Sequence, residues 1–163
     1  MEPGREAELV VAAQTGDRAS FLELARFYQR LVYRVAYAMT LNAEDAAALT
    51  RDTFVRAWQG LKSFPDRRRF LPWVLRTARN LAVTLARQRA GDGSRVTEHP
   101  LLGTYRDLPP DEQMALELRV VERLPYSEIA DLLELPPTAA IVRVSSARGL
   151  LFSRAPRAGG ESA

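Results

Sequence analysis

The sequence contains no cysteine. That excludes disulfides, thiol redox sensing, cysteine–zinc sites and a cysteine nucleophile. There is one histidine, His99, in a Pro- and Gly-rich stretch. A lone loop histidine cannot build an HExxH pair or a Ser-His-Asp set, so His99 reads as a solvated residue. Lysine is nearly missing too: of 23 Lys+Arg, only Lys62 is a lysine. No apolar run approaches the ~20 residues that cross a bilayer. The opening MEPGREAE is acidic and polar, unlike a signal peptide. These absences together predict a cytoplasmic protein with no membrane partner, no metal, no cofactor and no small-molecule substrate. No convergent acid, base, nucleophile or metal set is present, so an enzyme is not expected.

What is present is arginine, unevenly placed. Net charge is only +3 over 163 residues. Residues 1–59 carry seven bases and eight acids. From Asp66 to Arg89 seven arginines face a single acid, a local net of +6. From Asp107 to Glu134 eight acids face two bases, a local net of −6. Such segregation says more about partners than the total does. A chain of this length is one ordinary domain or two small ones.

Apolar spacing predicts helices throughout. A short one spans Glu6 to Thr15 and stops at Gly16. The next starts at Asp17 or Ser20. After Phe21 it carries Leu24, Ala25, Tyr28, Leu31, Val32, Val35, Ala36 and Met39 on one face. Asn42 can cap a third helix, with Glu44 and Asp45 favourably placed in its first turn. There Ala46, Ala47, Thr50, Thr53, Phe54, Ala57, Trp58 and Leu61 form the apolar stripe. Asp45, Arg51, Asp52, Arg56 and Gln59 fall on the wet side.

An elbow, Lys62-Ser63-Phe64-Pro65-Asp66-Arg67-Arg68-Arg69, follows. Pro65 disfavours a continuous helix and Asp66 can cap the next one. That helix is expected to bury Phe70, Trp73, Val74, Thr77, Leu81 and Leu85. Its opposite face holds Arg69, Arg76, Arg79, Asn80, Thr84 and Arg87. Arginine neutralises phosphate and stacks on bases, an amide can read a base edge, and aromatics can hold an unstacked base. The face therefore suits a nucleic acid, although charge alone leaves a merely solvated face open.

Ala90 to Arg106 has three glycines, a proline and no period, and reads as a flexible linker. A second helical unit runs from Leu108 to Phe152. Pro109-Pro110-Asp111-Glu112 starts a helix with Met114, Leu118, Val121 and Leu124 as its stripe. Ser127 is the expected cap of SEIADLLE, which buries Ile129, Ala130, Leu132 and Leu133. After the turn at Leu135-Pro136-Pro137, Thr138 is expected to cap the last helix. In that helix Ala140, Val144, Ala147 and Leu151 should pack inward. Ile141, Val142, Ser145, Ser146 and Arg148 face outward, with Arg143 at the flank. Two helices joined by a short turn form a helix-turn-helix pattern.

Two stretches carry a family likeness. Ala43 to Trp58 reads AEDAAALTRDTFVRAW, and Phe70, Trp73, Ala78, Arg79 and Asn80 follow the elbow. This resembles region 2 of bacterial sigma factors of the sigma-70 family, extracytoplasmic-function group. Leu108-Pro109, Tyr126, Glu128-Ile129-Ala130, Arg143 and Ala147-Arg148 resemble region 4 of the same family. The resemblance departs at Ile141 and Ser146, where basic residues are usual, at Gln113, where Arg is usual, and at Thr84, where Asp is common.

The resemblance implies an all-α chain of two small helical domains: region 2 at 1–89, a linker at 90–106, region 4 at 107–155 and a tail at 156–163. It implies a sigma factor that directs core RNA polymerase to specific promoters and assists strand opening. Lys62, Phe64, Asp66, Arg67, Arg68, Arg69, Trp73, Arg76, Arg79, Asn80 and Arg87 would hold the −10 element, including the melted non-template strand. Asp45, Leu49, Asp52, Arg56 and Gln59 would dock on core polymerase. Thr138, Ile141, Val142, Arg143, Ser145, Ser146 and Arg148 would meet the −35 element in duplex promoter DNA. An anti-sigma factor or other regulatory protein is a further implied partner. The rival readings are a sigma-like helix-turn-helix regulator that never meets the polymerase, and a decoy that works through protein partners.

Overall fold

The computed structural model describes residues 1–64, 69–91, 104–105 and 107–154. Seven α-helices lie among them: α1 (Pro3–Gln14), α2 (Arg18–Thr40), α3 (Ala43–Gly60), α4 (Phe70–Gly91), α5 (Pro110–Val120), α6 (Tyr126–Leu133) and α7 (Pro137–Arg154). A short 3-10 turn, Leu61–Ser63, follows α3. Among the described residues no strand occurs, and no helix is long and apolar enough to cross a membrane.

Local chemistry sets the breaks. Gly16 takes φ +104, a conformation that costs glycine little, and α1 stops just before it. Asp17 then caps α2, its carboxylate accepting from the Ala19 N–H at 2.9 Å. The hydrogen bond from Ser20, then that backbone N–H, hold the Asp17 carboxyl below its ordinary range. Leu41 in the left-handed region ends α2, and Asn42 caps α3 by accepting from the Asp45 N–H at 3.0 Å.

Helices α1 to α4 enclose the first core, built on Leu24, Val32, Val35, Phe70, Val74 and Leu75. An aromatic cluster of Phe21, Tyr28, Phe64, Phe70 and Trp73 closes one end. Helices α5 to α7 gather Met114, Ala115, Leu118, Ile129, Ala130, Ala140, Val144 and Ala147 into a second, continuous with the first in one buried cluster. Each fully buried large apolar side chain contributes about 1.5–3 kcal/mol.

The structure shifts several expected positions. On α3, Leu49 is buried, 5% exposed, whereas Ala47 faces solvent and Trp58 sits at the rim. The larger aliphatic takes the inward line, and the buried Thr53 hydroxyl is satisfied by donating to the Leu49 carbonyl at 2.7 Å. Helix α6 begins at Tyr126, after Pro125, with no side-chain cap, so Ser127 lies inside the first turn. Helix α7 begins at Pro137, since proline suits a first helical position, and Thr138 lies within it. Val121, assigned inward, is exposed where α5 ends. The stretch assigned to the linker is partly structured: α4 runs on to Gly91, and Thr104 and Tyr105 are helical, Thr104 buried. Residues 92–103, His99 included, lie outside the described residues.

A candidate nucleic-acid interface on α4

Helix α4 is two-faced, but its buried line is turned from the expected one: Trp73, Thr77, Leu81 and Leu85 are only half-buried. Phe70, Leu71, Val74, Leu75, Ala78 and Ala82 are buried. Arg76, Asn80, Thr84 and Arg87 are exposed, and Arg79 lies half-covered beside Asn80. The two meet directly, Arg79 Nη1 donating to Asn80 Oδ1 at 3.2 Å. Exposed Arg69 stands just before the helix, and Lys62 is exposed on the 3-10 turn. Guanidinium groups and an amide thus share the outer face of α4, with Arg69 at its entry. Arg67, Arg68 and Asp66 lie outside the described residues.

Phe64 is not part of that surface. It is 4% exposed and packs on Trp73 at 4.9 Å between ring centroids. Sequence reasoning put it on the elbow because of Pro65, but its ring completes the aromatic cluster. Trp73 is half-buried in the same cluster, with a Cβ built on Gly60 reaching 3.3 Å from its ring. It seals the base of the surface more than it extends from it.

Helix α1 supplies two residues that periodicity passed over. Gln14 Nε2 donates to the carbonyls of Leu61 (3.2 Å) and Phe64 (2.9 Å). Glu6 accepts from the Phe70 N–H at 3.0 Å, and Tyr28 donates its hydroxyl to the same carboxylate. Burial and that carboxylate push the Tyr28 phenol up. One helix therefore pins the elbow where it begins and where it ends. The only sequence signal was that Glu6 and Gln14 lie eight residues apart, close to one α-helical face.

The second unit lies against this surface. Glu134, at the end of α6, pairs with Arg76. Asp111, at the start of α5, pairs with Arg79, whose Nε is fully buried there. The same Asp111 holds Arg143 of α7. Asp131 of α6 is 4.0 Å from Arg69, and Glu122, after α5, is 2.8 Å from Arg34 of α2. Pro72, Arg76, Arg79 and Asn80 face Asp111, Leu132 and Leu135 across a small cleft. Arg143, expected to face duplex DNA, is turned to protein.

The residues expected to dock on polymerase separate into two groups. Asp52, Arg56 and Gln59 are exposed on α3. Leu49 belongs to the core, and Asp45 is engaged by Arg89 of α4 at 2.6 Å. On α7, Ile141, Val142, Ser145, Ser146 and Arg148 are exposed as expected, with Val142 63% exposed. Gln113, on α5, is 4% exposed, and its amide donates to the Tyr105 carbonyl at 2.7 Å. An arginine there would bury a charge.

Comparison with known proteins gives a consistent result. The family model for Sigma-70 region 2 matches residues 24–91, and that for Sigma-70 region 4 matches residues 105–151. The chain is 24% identical to the ECF RNA polymerase sigma factor SigW of Bacillus subtilis, covering 83% of this chain and 89% of that one. It is 27% identical to the RNA polymerase sigma-H factor of Pseudomonas aeruginosa, covering 88% and 90%. Among solved structures, CnrH in complex with the cytosolic domain of CnrY superposes with a TM-score of 0.69 at 22% identity, covering 91% and 96%.

Proposed function

We propose, for a chain that belongs to the extracytoplasmic-function group of the sigma-70 family and directs core RNA polymerase to specific promoters, that the outer face of α4 grips the melted −10 strand. Arg76, Arg79 and Arg87 hold phosphates there, with Asn80 placed among them to read a base edge. Lys62 and Arg69 extend the cationic track toward the elbow. Strand opening costs a few kcal/mol per unstacked base, offset by base capture and phosphate contacts.

The observation that carries this reading is the division of α4 itself. Its apolar side is sealed by Phe70 and Val74 while its arginines and amide share one outer surface beside the elbow. Asp52, Arg56 and Gln59 are the docking residues on α3. On α7 the −35 contacts come from Ile141, Val142, Ser145, Ser146 and Arg148. Methyl and hydroxyl groups there give weaker and less salt-dependent contacts than cations would. The exposed Ile141 and Val142 also suit a regulatory protein, such as an anti-sigma factor.

The test is run-off transcription with core polymerase on a genomic fragment library. Arg79→Ala with Asn80→Ala abolishes strand opening and leaves polymerase binding near normal. Equal loss of both activities overturns the assignment. A chain that binds duplex DNA tightly alone and never associates with polymerase would be an autonomous regulator.

A further inference from the structure

We propose that the acids of the second unit act as an internal stand-in for promoter phosphates, holding the chain closed over its own −10 surface until it is opened. This rests on the reading of α4 just given.

The acids are matched to the arginines one by one. Asp131, Glu134 and Asp111 engage Arg69, Arg76 and Arg79, three cations assigned to the melted strand. A carboxylate offers arginine the same charge-assisted contact as a phosphate oxygen. Arg79 Nε is buried against Asp111 without a hydrogen bond of its own, so this pair is held by charge proximity, and burial screens it less than an exposed pair. The sequence is divided to suit: a net of +6 on residues 66–89 and −6 on residues 107–134.

Asp111 has a second role. It touches both Arg79 of α4 and Arg143 of α7, so one carboxylate engages a cation from each DNA-reading unit. Across the interface, Glu122 ties the end of α5 to Arg34 of α2. By contrast, Asp52, Arg56 and Gln59 on α3 stay exposed in the closed chain. The polymerase-docking face is therefore free of the second unit's acids while Arg69, Arg76 and Arg79 of the DNA face are engaged by them, although Asn80, Thr84 and Arg87 stay exposed. Recruitment can precede opening, and free chain is kept off single-stranded nucleic acid.

The population arithmetic is simple. A chain closed about nine-tenths of the time binds DNA about tenfold more weakly than an open one. The interface variant is Asp111→Asn, Asp131→Asn and Glu134→Gln together. Its charge-matched control is Glu2→Gln, Glu44→Gln and Glu128→Gln, three exposed acids outside these contacts. The probe is a fluorescent mixed-sequence 30-nucleotide single-stranded DNA, titrated against full-length chain, with the radius of gyration read by X-ray scattering.

The interface variant is expected to expand and to bind the probe several-fold, up to about tenfold, more tightly than the control. Equal affinity of the two variants, or tighter binding without expansion, overturns the proposal, because charge alone then accounts for the result. Expansion without tighter binding overturns it too, since the contact then covers nothing that binds DNA. Adding Arg76→Ala, Arg79→Ala and Asn80→Ala to the interface variant separates the two readings. If that leaves probe affinity unchanged, the α4 assignment falls, whatever the scattering shows.

Discussion

Glu6 accepts a hydrogen bond from the backbone N–H of Phe70, 64 residues further along the chain. The first turn of α4 has unsatisfied donors, and a side chain from α1 meets one of them. With Gln14 on the Leu61 and Phe64 carbonyls, α1 fixes both ends of the elbow. Glu6 and Gln14 are thus positioning residues for the surface proposed to take the −10 strand. Glu6→Ala is expected to cost about 1 kcal/mol of stability, as loss of a helix cap does. Strand opening, followed by permanganate reactivity of promoter thymines, should fall several-fold while core polymerase binding holds. Glu6→Gln keeps an acceptor and should restore most of the opening. A parallel loss of opening and polymerase binding would reduce α1 to a general stabiliser.

On α3 the core and the docking face can be separated by one pair of variants. Leu49→Ala should destabilise the fold by about 2–5 kcal/mol, the cost of a cavity at a buried aliphatic. Asp52→Ala with Arg56→Ala removes exposed groups and should change stability by less than about 0.5 kcal/mol each. The double variant should nevertheless lose core polymerase binding by tenfold or more in a pull-down titration. If Leu49→Ala keeps its stability, the inward register of α3 is wrong. Unimpaired binding by the double variant would remove these residues from the docking face.

Much of this fold is legible from spacing because its helices carry large aliphatics at three- and four-residue intervals. The inward residues Ala140, Val144 and Ala147 of α7 follow from that pattern, and so does the outward set from Ile141 to Arg148, whereas on α4 only Phe70 and Val74 of the expected inward set are fully buried and Leu71, Leu75, Ala78 and Ala82 were passed over. Where the stripe is made of alanine and threonine the pattern loses resolution. That is why the centre of the α3 stripe, Ala46, Thr53, Ala57 and Leu61, read correctly while its edges did not, with Ala47 and Trp58 placed inward and Leu49 outward. Phe64 was misplaced for another reason: Pro65 marks a break in the helix but says nothing about where the preceding ring points. Charge blocks were visible as numbers, yet periodicity within one segment cannot show that Asp111 meets Arg79. Nor could it show Glu6 on Phe70, since contacts between distant segments depend on how helices pack.

Gln113 shows how a departure from a family pattern can be structural. Its amide satisfies the Tyr105 carbonyl inside the second unit, and the Tyr105 hydroxyl returns a long contact to the Gln113 carbonyl at 3.4 Å. Gln113→Leu would leave the Tyr105 carbonyl short of a donor, at a cost of about 1–3 kcal/mol. Gln113→Arg should be worse, because a guanidinium would have to be buried there. Urea unfolding followed by circular dichroism measures both. If Gln113→Arg unfolds no earlier than wild type, the amide contact is not what holds this site.

Glu117 gives the pH prediction. Burial, chiefly, pushes its carboxyl up from 4.5 to about 6; Glu122 adds to the rise and Arg34 opposes it. Tyr105 feels the same carboxylate, which together with burial raises its phenol. A folded pKa above the unfolded one means that the native chain holds the proton more tightly. The resulting stabilisation is complete below about 4.5 and is lost as pH rises through about 6. Other carboxylates titrate in the same range, so the useful quantity is a difference. Glu117→Gln mimics the protonated form at every pH. Its melting temperature relative to wild type should therefore rise between pH 4.5 and pH 6 and level off above that. A flat difference across that window would mean that Glu117 titrates as it does in water.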